Sequence, residues 1–183
     1  PRGGFAAVSP SGTYGGSLMR FGWADAGIIV PYQMWKQFGD LKIIHQNLAA
    51  MEKYVERCAE TKYDFHATHS QNAGYQYADW LSYERVDDKN KVEYWNYLGA
   101  CYWLWDARLM AEMLSAIGQS DDKYVKMAAD AKGYILERFL KDGIFKLEQL
   151  NNMQTPALFA LHLGLVEGEH KERMIESLRK NSA

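Results

Sequence analysis

The chain has 183 residues, a formal net charge of -2 and 48% hydrophobic residues, which fits one ordinary globular domain and excludes a disordered tail. Lys and Arg do not outnumber Asp and Glu, so nucleic acid is not an expected partner. No stretch approaches the roughly 20 consecutive apolar residues that a membrane span needs, so a membrane is not expected either.

The N-terminal PRGGFAAVSPSG lacks the charged-then-apolar order of a signal peptide and does not start with Met, which leaves the compartment open between periplasm, exterior and cytoplasm. Cys58 and Cys101 fall inside helix-like patterns without CxxC spacing and read as buried thiols. The unusual figure is 14% aromatic residues, with six Trp and twelve Tyr. Such residues form cores, and Trp and Tyr also stack on the apolar faces of sugar rings while their polar edges bond hydroxyls.

Three times the chain repeats one order of parts: a polar or glycine-rich loop, a helix apolar on nearly every side, a Gly with a short turn, then an amphipathic helix. The first unit, at about 23–60, joins ADAGIIVPYQMWKQF through Gly39 and Asp40 to LKIIHQNLAAMEKYVERCAE. There Leu41, Ile44, Leu48, Met51 and Val55 recur at helical spacing, leaving Lys42, Asn47, Glu52 and Glu56 outside. A long loop at about 61–91 follows, ending in the charged run DDKNK, which reads as solvated. The second unit, at about 92–141, pairs VEYWNYLGACYWLWDARLMAEMLSAI with KYVKMAADAKGYILERFL, opened by an acidic cap and closed near Asp142 and Gly143. The third, at about 155–180, pairs TPALFALHLGLV, with Thr155 as N-cap and Pro156 at the first helical position, with EHKERMIESLRK after Gly168. Period-two strand patterns are absent, so the expected class is all-α.

A helix that is apolar all round must be buried on all sides, whereas an amphipathic one covers a core with one face. Each unit is therefore an inner helix followed by an outer one. Stacked hairpins form an open solenoid or a closed double-layered ring. The irregular unit lengths and the aromatic bulk of the inner helices (Trp23, Tyr32, Trp35, Tyr94, Trp95, Trp103, Trp105) favour the ring. Three hairpins make half of an (α/α)6 toroid, so the inner layer is expected to need further chain or a second chain to cover it.

Loops entering the inner helices lie at one end of such a barrel. They bring Trp23 and Asp25, then Tyr77, Asp79 and Trp80, then Gln154 and Thr155 to one rim. Asp25 has two readings: an acid at the positive end of a helix dipole, contributing about 0.3–1 kcal/mol, or a carboxylate that accepts hydrogen bonds from sugar hydroxyls beside a Trp platform. Asp79 and Trp80 repeat the pairing of acid and Trp; the alternative for Trp80 is a buried loop anchor. His66 and His69 are spaced like metal ligands, but only Asp64 stands near as a third, and a site needs three or four. No metal or other cofactor is expected. His45 and His162 are single helix residues that read as hydrogen-bonders, and no GxSxG, P-loop, HExxH or GxGxxG occurs.

GWADAGIIVPYQMWKQFGD resembles the inner-helix signature of the bacterial α-L-rhamnosidases of glycoside hydrolase family 78, in which Gly-Trp-x-Asp-Ala leads into an apolar helix ending in an aromatic-x-Gly-Asp run. ADWL is similar to that family's Gly-Asp-Trp-Leu, with Ala78 in place of Gly, and MQTPALFALHLGLV to a Gln-Thr-led apolar helix downstream. The similarity runs from about Gly15 to the end. It implies a six-hairpin α/α barrel and hydrolysis of terminal α-L-rhamnosides with inversion. It also implies that the catalytic acid and base lie in motifs upstream and downstream that this chain does not contain, so no catalytic residue is assigned here. It carries Trp23, Asp25, Asp79 and Trp80 over as rhamnose-binding positions, a rhamnose-containing glycan or glycoside being the implied ligand. Other readings are another six-hairpin glycosidase or a polysaccharide lyase, and a noncatalytic helical module that binds a partner through its aromatic rim.

Overall fold

The computed structural model describes residues 4–6, 21–60, 79 and 86–181. The expectations placed on Asp64, His66, His69, Tyr77, Ala78 and Trp80 lie outside the described residues. The architecture is all-α: three helical hairpins in an inner and an outer layer, α1 (Ala26–Phe38) with α2 (Lys42–Ala59), α3 (Lys91–Ala116) with α4 (Asp122–Phe139), and α5 (Gln154–His162) with α6 (Gly168–Asn181). Helix α3 is the centre, packing against α1, α2 and α4, while α5 packs on α6. It buries residues on every side, from Tyr94 through Tyr97, Cys101, Leu104 and Met110 to Leu114, as an apolar-all-round helix must. Outer helix α2 buries one stripe, Ile44, Met51, Tyr54, Val55 and Cys58. Both cysteines are free and buried.

Glycine marks where the hairpins turn. Gly39 follows α1 at φ 71°, a left-handed conformation that L side chains resist, and its N–H bonds the Trp35 carbonyl. Gly164 does the same for α5 at φ 60°, with the Leu165 N–H reaching back to Ala160 O at 2.8 Å. This stop makes the third inner helix shorter than its apolar run. At its other end α5 begins at Gln154 with Met153 as N-cap, so Thr155 is not the cap. Proline is tolerated anywhere in a first turn whose N–H groups have no intrahelical acceptor, and Pro156 therefore does not fix the start.

Two further local features depart from the helical pattern. The run read as a solvated loop makes a 3-10 turn at Asp88–Asn90 that leads directly into α3. After α4 the chain forms a two-residue antiparallel ladder, β1 (Leu140–Lys141) with β2 (Ile144–Phe145). Its turn holds Asp142 and Gly143 at φ 51° and 71°, the two positive values that an Asp-Gly hairpin turn requires. Asn151 completes the ladder by taking the Phe145 N–H on Oδ1 and donating Nδ2 to Phe145 O, both at 2.9 Å, as a third strand would.

Cross-links join the hairpins. Tyr32 of α1 donates to Glu112 Oε2 of α3 at 2.7 Å, and Arg108 of α3 donates to Leu163 O at the end of α5 at 2.9 Å. The latter satisfies one of the carbonyls a helix end leaves open. In the outer layer Lys123 of α4 pairs with Glu56 of α2. Helix α1 also presents Val30, Met34 and Phe38 to solvent, Phe38 at 73% exposure. Their spacing of four places them in one row on one face. The row is an exposed apolar strip on an inner helix.

Candidate functional site

The chain enters α1 through a tight turn, residues 21–25, that carries Trp23 half-buried between buried Phe21 and Ala24. Gly22 sits at φ 86° and its N–H is bonded by the Asp25 carboxylate at 2.7 Å. The other Asp25 oxygen accepts from the Tyr54 hydroxyl of α2 at 3.0 Å. Asp25 itself is 0% exposed. It thus turns inward and fixes the turn, while its backbone carbonyl starts the helix by accepting from Ile28 and Ile29 at 2.9 Å. A carboxylate with no accessible surface offers nothing to a sugar hydroxyl in this chain. The expectation of a rim-facing Asp25 is therefore corrected to a buried one that shapes the residue two before it.

Beneath Asp25 lies a second carboxyl, Asp106 of α3, also 0% exposed. Burial drives both above the usual carboxylate range; the neighbouring Asp106 carboxyl holds Asp25 back, whereas the Asp25 charge pushes Asp106 further up. The same burial and the same two carboxyls raise the Tyr54 hydroxyl and the Cys58 thiol, so both stay protonated.

Asp79, half-buried, accepts from the Tyr94 hydroxyl at 3.0 Å and is thereby tied to the first turn of α3. Tyr102, two turns on, is the group common to both acidic positions. Burial raises its hydroxyl, and the charges of Asp25, Asp106 and Asp79 raise it further, so it remains a donor. It stacks on Trp105 with ring centres 6.2 Å apart and meets Phe159 of α5 edge-on at 5.1 Å. Trp105 in turn meets His162 edge-on at 4.9 Å. The rim is closed between hairpins by Asn90, which donates to Gln149 at 2.9 Å just before α5.

Asp25 is set against Asp106 and Asp79 against Tyr94, three turns apart on α3, with Tyr102 between them in the field of both acids. Sequence reading passed over Tyr102 and Asp106. Asp106 carried a signal, since it is an acid in the interior of a helix that is buried on nearly every side. Among the described residues no group of three or more His, Cys, Asp and Glu is gathered that would hold a metal ion. No helix among them is long and apolar enough to cross a membrane.

The comparisons agree with one another. The model of the bacterial alpha-L-rhamnosidase 6 hairpin glycosidase domain matches residues 1–183. An alpha-L-rhamnosidase of Formosa agariphila is 27% identical over 179 residues, 96% of this chain and 18% of that protein. Among solved structures, Streptomyces avermitilis alpha-L-rhamnosidase complexed with L-rhamnose superposes with a TM-score of 0.76 at 18% identity, over 98% of this chain and 16% of that one. The enzyme from Dictyoglumus thermophilum gives 0.69 at 19% identity, over 87% and 18%. The chain therefore spans less than a fifth of the length of these relatives.

Proposed function

The chain belongs to the bacterial α-L-rhamnosidase six-hairpin glycosidase family, and from that premise we propose that it is the part of an inverting α-L-rhamnosidase that presents one wall of the sugar pocket. The observation that carries the reading is the match of the family model along the entire chain. Two local settings support it: a half-buried indole on a turn fixed by Asp25, and a carboxylate held by a tyrosine, the kinds of group that take a deoxy sugar's ring face and methyl on an aromatic and its hydroxyls on an acid. Trp23 and Asp79 are the proposed contacting residues, and Trp80, the next residue in sequence after Asp79, joins them by the resemblance alone.

Inversion needs one carboxyl to protonate the leaving oxygen and another to activate water, about 6.5–9.5 Å apart. Asp25 and Asp106 do not serve, because neither reaches the surface. The acid and base belong to the rest of the barrel, which is also what covers the Val30, Met34 and Phe38 face; no cofactor takes part. The test is release of p-nitrophenol from p-nitrophenyl α-L-rhamnoside by the full-length protein, beside α-glucoside, α-fucoside and β-glucuronide. Turnover of the rhamnoside alone is expected. Turnover of another glycoside, or silence on all, would replace this reading with a different six-hairpin enzyme or a binding module.

A further inference from the structure

The two buried carboxyls pose a problem of donors. Both Asp25 oxygens are supplied, one by the Gly22 N–H at 2.7 Å and one by the Tyr54 hydroxyl at 3.0 Å. Both Asp106 oxygens are buried, and neither receives a bond from any donor. Two ionised carboxylates side by side without a cation would repel in a medium that screens poorly. One proton resolves this, and the donors say where it sits. Asp25, already accepting two bonds, is the better anion, and Asp106 has a vacant need only if it is itself the donor. We propose that Asp106 is a positioning residue that carries the proton of this pair and, by donating it to Asp25, holds the turn that presents Trp23.

The chain of bonds is then continuous, from Asp106 O–H to the Asp25 carboxylate and from the Gly22 N–H to the same carboxylate, with Trp23 the next residue. The titratable groups facing the pair among the described residues are Tyr54 and Cys58 from α2 and Tyr102 from α3, and all three are held in their neutral forms. The importance of Trp23 for sugar rests on the function proposed above; the location of the proton does not.

Three readouts on the full-length protein test the proposal separately. Infrared difference spectra at neutral pH should show a protonated-acid carbonyl band in the wild type that disappears in Asp106→Asn. A missing band, or one that survives the substitution, overturns the assignment. Fluorotryptophan labelling, with the Trp23 resonance assigned through Trp23→Phe, should leave that resonance in place in Asp106→Asn, whose amide N–H replaces the donated O–H. The resonance should move in Asp25→Asn, which lacks an acceptor for one of its partners. The opposite order would put the proton on Asp25 and refute the proposal. L-Rhamnose affinity should follow the same order, near wild type in Asp106→Asn and weaker by about 10–100-fold in Asp25→Asn, the usual scale for losing a group that orients a contact. If wild type binds no rhamnose, the sugar reading fails, while the infrared and fluorine results still decide the positioning role.

Discussion

Tyr97 donates its hydroxyl to the Pro156 carbonyl at 2.8 Å, a buried bond between residues 59 apart that ties the second turn of α3 to the first turn of α5. Its ring is held edge-on by Phe139 and Phe145 at 5.4 and 5.2 Å, so one side chain joins the second hairpin, the small ladder and the third hairpin. Tyr97→Phe keeps the ring contacts and removes only the bond. It should lower the free energy of unfolding by about 1–2 kcal/mol, the cost of a buried acceptor losing its donor. A urea titration with an unchanged slope would measure this, and an unchanged midpoint would mean that the third hairpin does not depend on this tie.

The carboxyl pair makes stability depend on pH in a direction opposite to that of a salt bridge. Asp106 in the folded protein sits well above its ordinary value of 3.8, through burial and then the Asp25 charge. Below the ordinary value both folded and unfolded chains hold the proton, and the contribution is fully present. As pH rises above it the unfolded chain releases a proton that the folded one keeps, so stability falls by up to about 1.4 kcal/mol per pH unit until the folded value is passed. Asp106→Asn cannot titrate and should flatten this decline, becoming more stable than wild type toward neutral pH. Melting temperatures of the two proteins across the acid-to-neutral range would reveal it; parallel curves would count against a buried protonated Asp106.

The layering was legible because α3 is apolar on all faces while α2 and α4 are not, and burial follows from that difference directly. The turn glycines were legible too, since only a residue without Cβ sits easily at the φ values of Gly39 and Gly164. The inward aim of Asp25 was not. Its place before an apolar helix suits a cap, a sugar ligand or a buried brace equally, and what decides is Tyr54, 29 positions away in sequence. The same holds for Asn151, whose strand-like bonds to Phe145 depend on a ladder too short to leave a period-two pattern. Asp142-Gly143 did carry the hairpin signal, in the dipeptide rather than in the hydrophobic pattern.

The proposed sugar wall is tested by removing its parts singly in the full-length protein. Trp23→Ala should raise KM for the rhamnoside by about tenfold, as loss of one aromatic stacking contact of about 1–1.5 kcal/mol implies, with little change in kcat. Tyr94→Phe releases Asp79 from its 3.0 Å bond and should have a smaller effect in the same sense. A fall in kcat at constant KM for Trp23→Ala would move this residue from ground-state binding to the transition state.

Two glycines separate backbone strain from crowding. A Cβ on Gly39, at φ 71°, would meet nothing within 4 Å, so Gly39→Ala should cost only the left-handed penalty of about 1–2 kcal/mol. A Cβ on Gly143, also at φ 71°, would lie 2.4 Å from the His170 Cβ. Gly143→Ala should therefore cost more, because α6 must shift away from the ladder as well. The double variant Gly143→Ala with His170→Ala tests the assignment, since trimming the imidazole should not restore what the close Cβ contact removes; recovery to the Gly39→Ala level would place the clash in the ring alone.

The row Val30, Met34 and Phe38 gives the uncovered inner layer a measurable signature. Isolated apolar residues on a surface are ordinary, but three aligned along one helix, next to partly exposed Trp35, form a continuous strip. Expressed by itself, the chain should bind a hydrophobic dye and associate with increasing concentration. Phe38→Glu removes the most exposed of the three at the end of α1, where the fold does not rely on it, and should reduce dye binding without lowering the melting temperature. The full-length protein should bind no dye at this face, because burial of about 25 cal/mol per Å² drives the adjoining chain onto it. Equal dye binding by the chain and the full-length protein would show that the strip stays open after assembly and that another surface joins the hairpins into a ring.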